Sequence, residues 1–248
     1  MNPTADDHAL AVRLAVETGE VLVEVQNQGW LSGLRGWALE QEGDRIAHEF
    51  IVAALSAERP NDGLLSEEGA DDGTRTRKQR AWIVDPLDGS SGFGSGNDEW
   101  AVHVALVIDG LPVCGAVAVP GIGLVGSTMK PETLGERSNR VPVVVTGRTR
   151  AHQDGATVAG ALGADLIACS SAGVKTMLVV DDQADVYVHD GPLYEWDVCA
   201  PAAVALAAGL DAVTTRGEQI EFNHQRPVVD SLLICRREFT EQVVTALQ

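Results

Sequence analysis

Aromatic side chains make up only 4% of these 248 residues, so Val, Leu, Ile and Ala must supply most of the interior. Cations are scarce as well: 18 Lys and Arg stand against 36 Asp and Glu, a formal charge of −18. A surface that grips a nucleic-acid duplex needs clustered basic groups, so a polymer partner is not expected. A small phosphorylated substrate stays open, because bound metal ions invert the local potential of an acidic pocket. No apolar run is long enough to span a bilayer, and the opening Met1-Asn2-Pro3-Thr4-Ala5-Asp6-Asp7 lacks the basic and apolar stretches of an export signal. The expectation is a cytoplasmic chain without a membrane partner. Cys114, Cys169, Cys199 and Cys235 are widely spaced, with no CxxC pair, and read as buried reduced thiols. Neither an internal repeat nor an HExxH motif occurs.

What the chain does have is acid at the ends of apolar runs. Trp82-Ile83-Val84-Asp85-Pro86-Leu87-Asp88-Gly89-Ser90-Ser91-Gly92-Phe93 reads as a strand whose exit carries two carboxylates, stiffened by Pro86 and freed at Gly89. Asp, Pro and Gly also make ordinary solvated turns, so this stretch alone does not decide between turn and site. A second run of the same design, Gly63-Leu64-Leu65-Ser66-Glu67-Glu68-Gly69, tilts the choice toward one shared cation site. Unpaired carboxylates side by side repel each other and take up protons, and a hard divalent cation relieves them.

In chain order, residues 6–27 read as an amphipathic helix, 29–43 as a loop or short hairpin, and a second helix begins near Asp44 and ends near Glu58. Asp44 either caps that helix or points sideways toward the metal cluster. Asp71 to Arg80 is an exposed charged loop, and Trp100 to Val119 a hairpin turning at Asp109-Gly110. Beyond an irregular boundary at Lys130–Pro142, strands and helices alternate: Val143–Val145, a helix from Arg150 to Ala161, Leu166–Ala168, Gly173–Val180, Val186–Val188, an Ala-rich helix from Asp197, Val228–Cys235, and a last helix from Glu238. The expected class is α/β, with an α+β N-terminal domain over 1–135 holding most metal ligands and an α/β domain over 136–248 completing the site.

Tyr194-Glu195-Trp196-Asp197 opens the Ala-rich helix. Asp197 is either a plain cap or a third converging carboxylate, since a helix this apolar is buried and its N-terminus then faces a cleft. Glu67, Asp85, Asp88 and Asp197, with Asp44 as a fifth, form an all-oxygen donor set suited to Mg²⁺ rather than Zn²⁺. Two or three such cations together serve phosphoryl transfer.

With these pieces in order along the chain, joined by Ser171-Ala172-Gly173-Val174-Lys175 and Glu195-Trp196-Asp197-Val198-Cys199-Ala200, the sequence resembles the lithium-sensitive, Mg²⁺-dependent phosphatases of the inositol monophosphatase superfamily, closest to the bacterial CysQ-like 3'(2'),5'-bisphosphate nucleotidases. The resemblance implies a five-layered αβαβα sandwich and a homodimer. It implies metal ligation by Glu67, Asp85, the Leu87 carbonyl, Asp88 and Asp197, with Asp44 at a third, weaker ion. Ser90, in place of the family's usual threonine, orients the attacking water, Glu67 helps to deprotonate it, and the Gly89-Ser90 backbone holds the phosphate. Glu195, Ser171 and Lys175 are the expected substrate contacts, with a surface lysine as the bland alternative for Lys175, and the basic loop around Arg75, Arg77, Lys78 and Arg80 is either a second-phosphate lid or merely solvated. His103 and His189 read as structural. The activity implied is removal of the 3'-phosphate of adenosine 3',5'-bisphosphate. The basic residue and Glu that bisphosphate nucleotidases carry before the Phe, and the Asn of inositol monophosphatases, are both missing from Ser91-Gly92-Phe93, which keeps open a phosphatase for inositol monophosphate, another sugar phosphate or a nucleoside monophosphate. A non-catalytic binding protein on the same scaffold is a third reading, disfavoured by the intact carboxylate set.

Overall fold

The computed structural model describes residues 2–135, 140–148 and 151–248. Helix α1 (Ala5–Ser32) starts at a reciprocal cap, in which the Thr4 hydroxyl accepts from the Asp7 N–H and Asp7 accepts from the Thr4 N–H, and stops at left-handed Gly33. Helix α2 is Trp37–Glu58. The expected loop over 29–43 is therefore only a short link. Leu39 and Gly43 are buried, and Gly43 lies so close to the Phe93 ring that a Cβ would meet it at 2.6 Å. That packing extends α2 two turns upstream of the point where capping signals placed its start. Asp44 consequently sits inside the helix and caps nothing.

The first sheet has the order β1 (Gly63–Ser66), β2 (Arg80–Asp88), β3 (Ala101–Ile108), β4 (Leu111–Val119), β5 (Leu124–Ser127). Strands β1 and β2 run parallel and the rest antiparallel, with the expected hairpin turning at Asp109 and Gly110, both at positive φ. The second sheet comprises β6 (Val143–Thr146), β7 (Asp165–Ala168), β8 (Val186–Tyr194), β9 (Asp211–Val213) and β10 (Val228–Cys235), in the order β7-β6-β8-β10-β9. Three-residue β9 was too short to leave a sequence signal. Helices α4 (Ala151–Leu162), α5 (Ala172–Val180), α6 (Glu195–Ala207) and α7 (Arg237–Ala246) complete the C-terminal part, and a short α3 (Ser90–Ser95) follows β2. Residues 136–139 of the expected domain boundary, and Arg150 at the expected helix start, lie outside the described residues.

The layers follow from what each element covers. One core cluster joins α1 and α2 to the first sheet. A second joins both sheets through α5 and α6, and a third joins α4 and α7 to the outer face of the second sheet. The order is αβαβα, the five-layered sandwich. Because helices cover both faces of the first sheet, every residue of β3 is buried and its sequence cannot alternate. Small side chains let the middle layer close: a Cβ on Gly115 of β4 would come within 2.7 Å of the Ala203 methyl on α6. Among the described residues, no helix is long and apolar enough to cross a membrane.

Candidate active site

The ends of β1 and β2 and the start of α6 meet at one place. Parallel pairing sets Ser66 beside Val84, and the Glu67 N–H continues the ladder to the Val84 carbonyl at 3.4 Å, bringing Glu67 alongside Asp85. Pro86 has no N–H, and the β2–β3 register slips between Asp85 and Asp88. The Leu87 N–H folds back onto Asp85 Oδ1 at 3.1 Å, Leu87 itself is buried, and left-handed Gly89 turns the chain into α3. From the opposite wall, Asp197 lies in the first turn of α6, where its carboxylate accepts the Tyr194 N–H at 3.0 Å. Asp85, Asp88 and Asp197 thereby offer oxygens that all lie within 4.8 Å of one another.

Burial and mutual repulsion disfavour ionisation of most carboxylates in this cluster. Burial, then Glu67, Asp88 and Asp197, push Asp85 well above the usual carboxylate range. Burial, then Asp88 and Glu67, push Asp197 up to about 7. Glu67 reaches about 7 through burial and the fields of Glu68, Asp44 and Asp88, against the lowering effect of its bond with Asp85. Asp44 reaches about 7 through burial and the charges of Glu68 and Glu40, which ties it to the same acidic field. All the donors are oxygens, and the charge density is one that a hard divalent cation would neutralise, so the residues fit such an ion.

Asp88 is the exception. Burial alone would raise it, but His103, Lys175 and the Ser171 hydroxyl outweigh burial and hold it down at about 2. Its Oδ2 accepts the Gly173 N–H at 2.7 Å and the Ser171 hydroxyl, and lies 3.3 Å from His103 Nε2. His103 is fully buried in β3. Its Nδ1 lies 3.2 Å from the Trp196 carbonyl, which can only accept, so Nδ1 carries a proton while Nε2 faces the carboxylate. A lone His in a buried strand gave no signal of this. Gly173 is what admits the ring, since a Cβ there would stand 2.3 Å from Nε2.

The expected substrate contacts divide. Ser171 is the N-cap of α5, its oxygen accepting the Val174 N–H at 3.0 Å while its hydroxyl donates to Asp88. Lys175 is no surface lysine: it is buried, donates to the Cys169 and Ser170 carbonyls at 3.2 and 2.8 Å, and lies over the Tyr187 ring. It lines a cleft of about 390 Å³ with Asp88, Ser91, Asp197 and His189. Ser90, half-buried, opens α3.

Glu195 departs from expectation. It is fully buried and accepts the backbone N–H groups of Asn223 and His224 and the His224 ring nitrogen, at 2.8–2.9 Å. With its oxygens held by that loop it does not line the cleft. The basic segment is also spoken for in part. Arg75, inside a 3₁₀ turn, is buried against Asp71, Asn223 and the His224 carbonyl, while Arg80 pairs with Asp7 and Asp62 and Lys78 reaches the Asn61 carbonyl. Arg75 and Arg80 are tied down by these ion pairs, whereas Lys78 stays exposed.

Residues 10–248 match the inositol monophosphatase family. The chain belongs to that family. It is 37% identical over 245 residues to a 3'-phosphoadenosine 5'-phosphate phosphatase of Mycobacterium leprae, covering 94% of this chain and 90% of the relative. It is 32% identical to the 3'(2'),5'-bisphosphate nucleotidase CysQ of Escherichia coli, covering 72% and 77%. Among solved structures, CysQ from Bacteroides thetaiotaomicron superposes with a TM-score of 0.75 at 26% identity, covering 94% of this chain and 97% of that one.

Proposed function

We propose that the protein is a Mg²⁺-dependent phosphomonoester hydrolase that removes the 3'-phosphate of adenosine 3',5'-bisphosphate. The convergence of Asp85, Asp88 and Asp197 within 4.8 Å, beside a cleft that also holds a buried lysine, carries this reading. The names of the mycobacterial and enterobacterial relatives support the choice of substrate.

In this reading Glu67, Asp85, the Leu87 carbonyl, Asp88 and Asp197 hold two Mg²⁺ ions, with Asp44 at a third. The ions supply electrostatic stabilisation of phosphoryl charge and lower the pKa of water. The Ser90 hydroxyl orients the attacking water, Glu67 takes its proton, and the Gly89-Ser90 backbone holds the phosphate. Ser171, Gly173 and His103 keep Asp88 ionised and aimed. Lys175 adds positive charge to the cleft. The N-terminal part over 1–135 then contributes most ligands and the part over 136–248 closes the site.

Four unpaired, buried cysteines suit a reducing compartment such as the cytoplasm. A homodimer is part of the proposal; exposed Val125 on the edge strand β5 and Ile122 just before it give it an apolar surface, and light scattering of the pure protein tests it.

Phosphate release with Mg²⁺ from adenosine 3',5'-bisphosphate, adenosine 5'-monophosphate, myo-inositol 1-phosphate and fructose 1,6-bisphosphate, compared as kcat/KM, tests the substrate. A preference for the first is expected. The second reading, a monophosphatase for inositol, sugar or nucleoside phosphates, is favoured by the Ser91-Gly92 segment, because Ser91 lines the cleft where the nucleotidase pattern has other side chains. Equal or faster turnover of a monophosphate would establish it and overturn the first.

A further inference from the structure

Asp88 and Asp197 line the cleft together with two cations, Lys175 and Arg148. Lys175 is committed, with its ammonium donating to two carbonyls. The second cation among the described cleft residues is Arg148, at the rim and 53% exposed. Its guanidinium pairs with Glu99: one nitrogen donates to Oε1, and Nε to Oε2 at 3.3 Å. Glu99 in turn is fixed to the cleft wall, since its Oε2 accepts the Ser170 N–H at 3.1 Å. Ser170 precedes Ser171, whose hydroxyl donates to Asp88. The anchor of the Arg148 pair and the anchor of a metal carboxylate are thus consecutive residues, with Cα atoms about 3.8 Å apart. Tyr187 is among the residues that line the cleft, and its buried hydroxyl has no hydrogen-bond partner.

This arrangement parks a cation next to the site on a partner that it can leave. A pair this exposed is weakly held. A phosphate dianion offers more charge than a carboxylate and presents two oxygens to the guanidinium fork. Glu99, once released, keeps the Ser170 N–H and is not stranded.

We propose that Arg148 recognises the second, non-scissile phosphate of the substrate, exchanging Glu99 for it on binding. The inference rests on the bisphosphate reading above and assigns the group that makes the second phosphate count. A substrate with a single phosphate leaves Arg148 on Glu99 and gains nothing from it.

The test compares adenosine 3',5'-bisphosphate with adenosine 3'-monophosphate, which carries the same scissile group alone, in the Mg²⁺-loaded full chain and in Arg148→Ala, Arg148→Lys and Glu99→Gln. In Arg148→Ala, kcat/KM for the bisphosphate is expected to fall roughly tenfold to a hundredfold, mainly through KM, the range for losing a hydrogen bond to a charged group. The monophosphate should change less than about twofold. Arg148→Lys should fall between, because it keeps the charge and loses the fork. Glu99→Gln, which weakens the competing pair, should lower KM for the bisphosphate. Inhibition by adenosine 5'-monophosphate, which retains the second phosphate, should weaken in Arg148→Ala. Equal losses on both substrates, an unchanged bisphosphate rate, or a Glu99→Gln protein that loses the bisphosphate as Arg148→Ala does would each overturn the assignment while leaving the nucleotidase reading intact. A parent enzyme that does not favour the bisphosphate sinks that reading, and this inference with it.

Discussion

Replacing Asp197 by Asn should stabilise the metal-free protein and cripple the metal-loaded one. Asp197 is held from 3.8 up to about 7, first by burial and then by Asp88 and Glu67. That displacement corresponds to roughly 4 kcal/mol against the ionised form. Asp197 is only half-buried, so water screens part of it and about 1–3 kcal/mol should be recovered on neutralisation. Asn keeps an oxygen for the Tyr194 N–H, so the helix cap survives. The sign follows from proton linkage: the unfolded carboxyl releases its proton near 4, the folded one near 7, and the folded state therefore binds more protons between. Metal-free stability falls as pH rises through that window. Thermal unfolding in chelator at pH 8 should show Asp197→Asn melting roughly 2–10 °C above the parent, with the gap closing at pH below about 4. Saturating Mg²⁺ should reverse the order, since a ligand at a hundredfold its Kd adds about 2.7 kcal/mol to whichever protein binds it. A variant less stable than the parent in chelator at pH 8, or one stabilised by Mg²⁺ to the same extent, would refute the view that these carboxylates form a cation site.

Glu195→Gln should cost about 1–3 kcal/mol in denaturant unfolding, because a buried carboxylate accepting from the 223–224 loop is lost. KM should hold within about twofold, whereas a large rise in KM would return Glu195 to the substrate site. Ser90→Ala should reduce kcat roughly a hundredfold or more, and Ser90→Thr should retain activity, since the hydroxyl remains and β-branching restrains its rotamer; comparable activity in the Ala protein would remove Ser90 from the chemistry. The buried thiols Cys114, Cys169, Cys199 and Cys235, with Cys199 driven well above the usual thiol range by burial and by Glu195, should resist an aromatic disulfide reagent in the folded protein and all react in denaturant. Rapid labelling of Cys199 in the native state would show an opening at the start of α6.

The acidic strand ends are legible in the sequence, the five-layer fold follows from the family resemblance of the motifs, and Asp85, Asp88 and Asp197 offer oxygens within 4.8 Å of one another. The strand ends depend on local chemistry: an apolar run forces a strand inward, and proline and glycine then turn carboxylates out of its end. The start of α2 was not legible, because Leu39 and Gly43 gain their place only from Phe93 across the interface. Nor was the fate of Glu195, which looks like any acid at a helix start until the 223–224 loop arrives to occupy it.

What the sequence by itself determined is therefore the inventory and its polarity: which segments bury, where acid gathers, and that the gathered donors are oxygens, which suit a hard cation. What only the tertiary structure decided is which side chains share a volume. His103, Asp88 and Ser171 lie on three different elements, and Glu99 and Arg148 on two loops 49 positions apart. Side-chain periodicity reports only the face that a residue occupies on its own element, so pairings across layers appear only once the sheets and helices have packed.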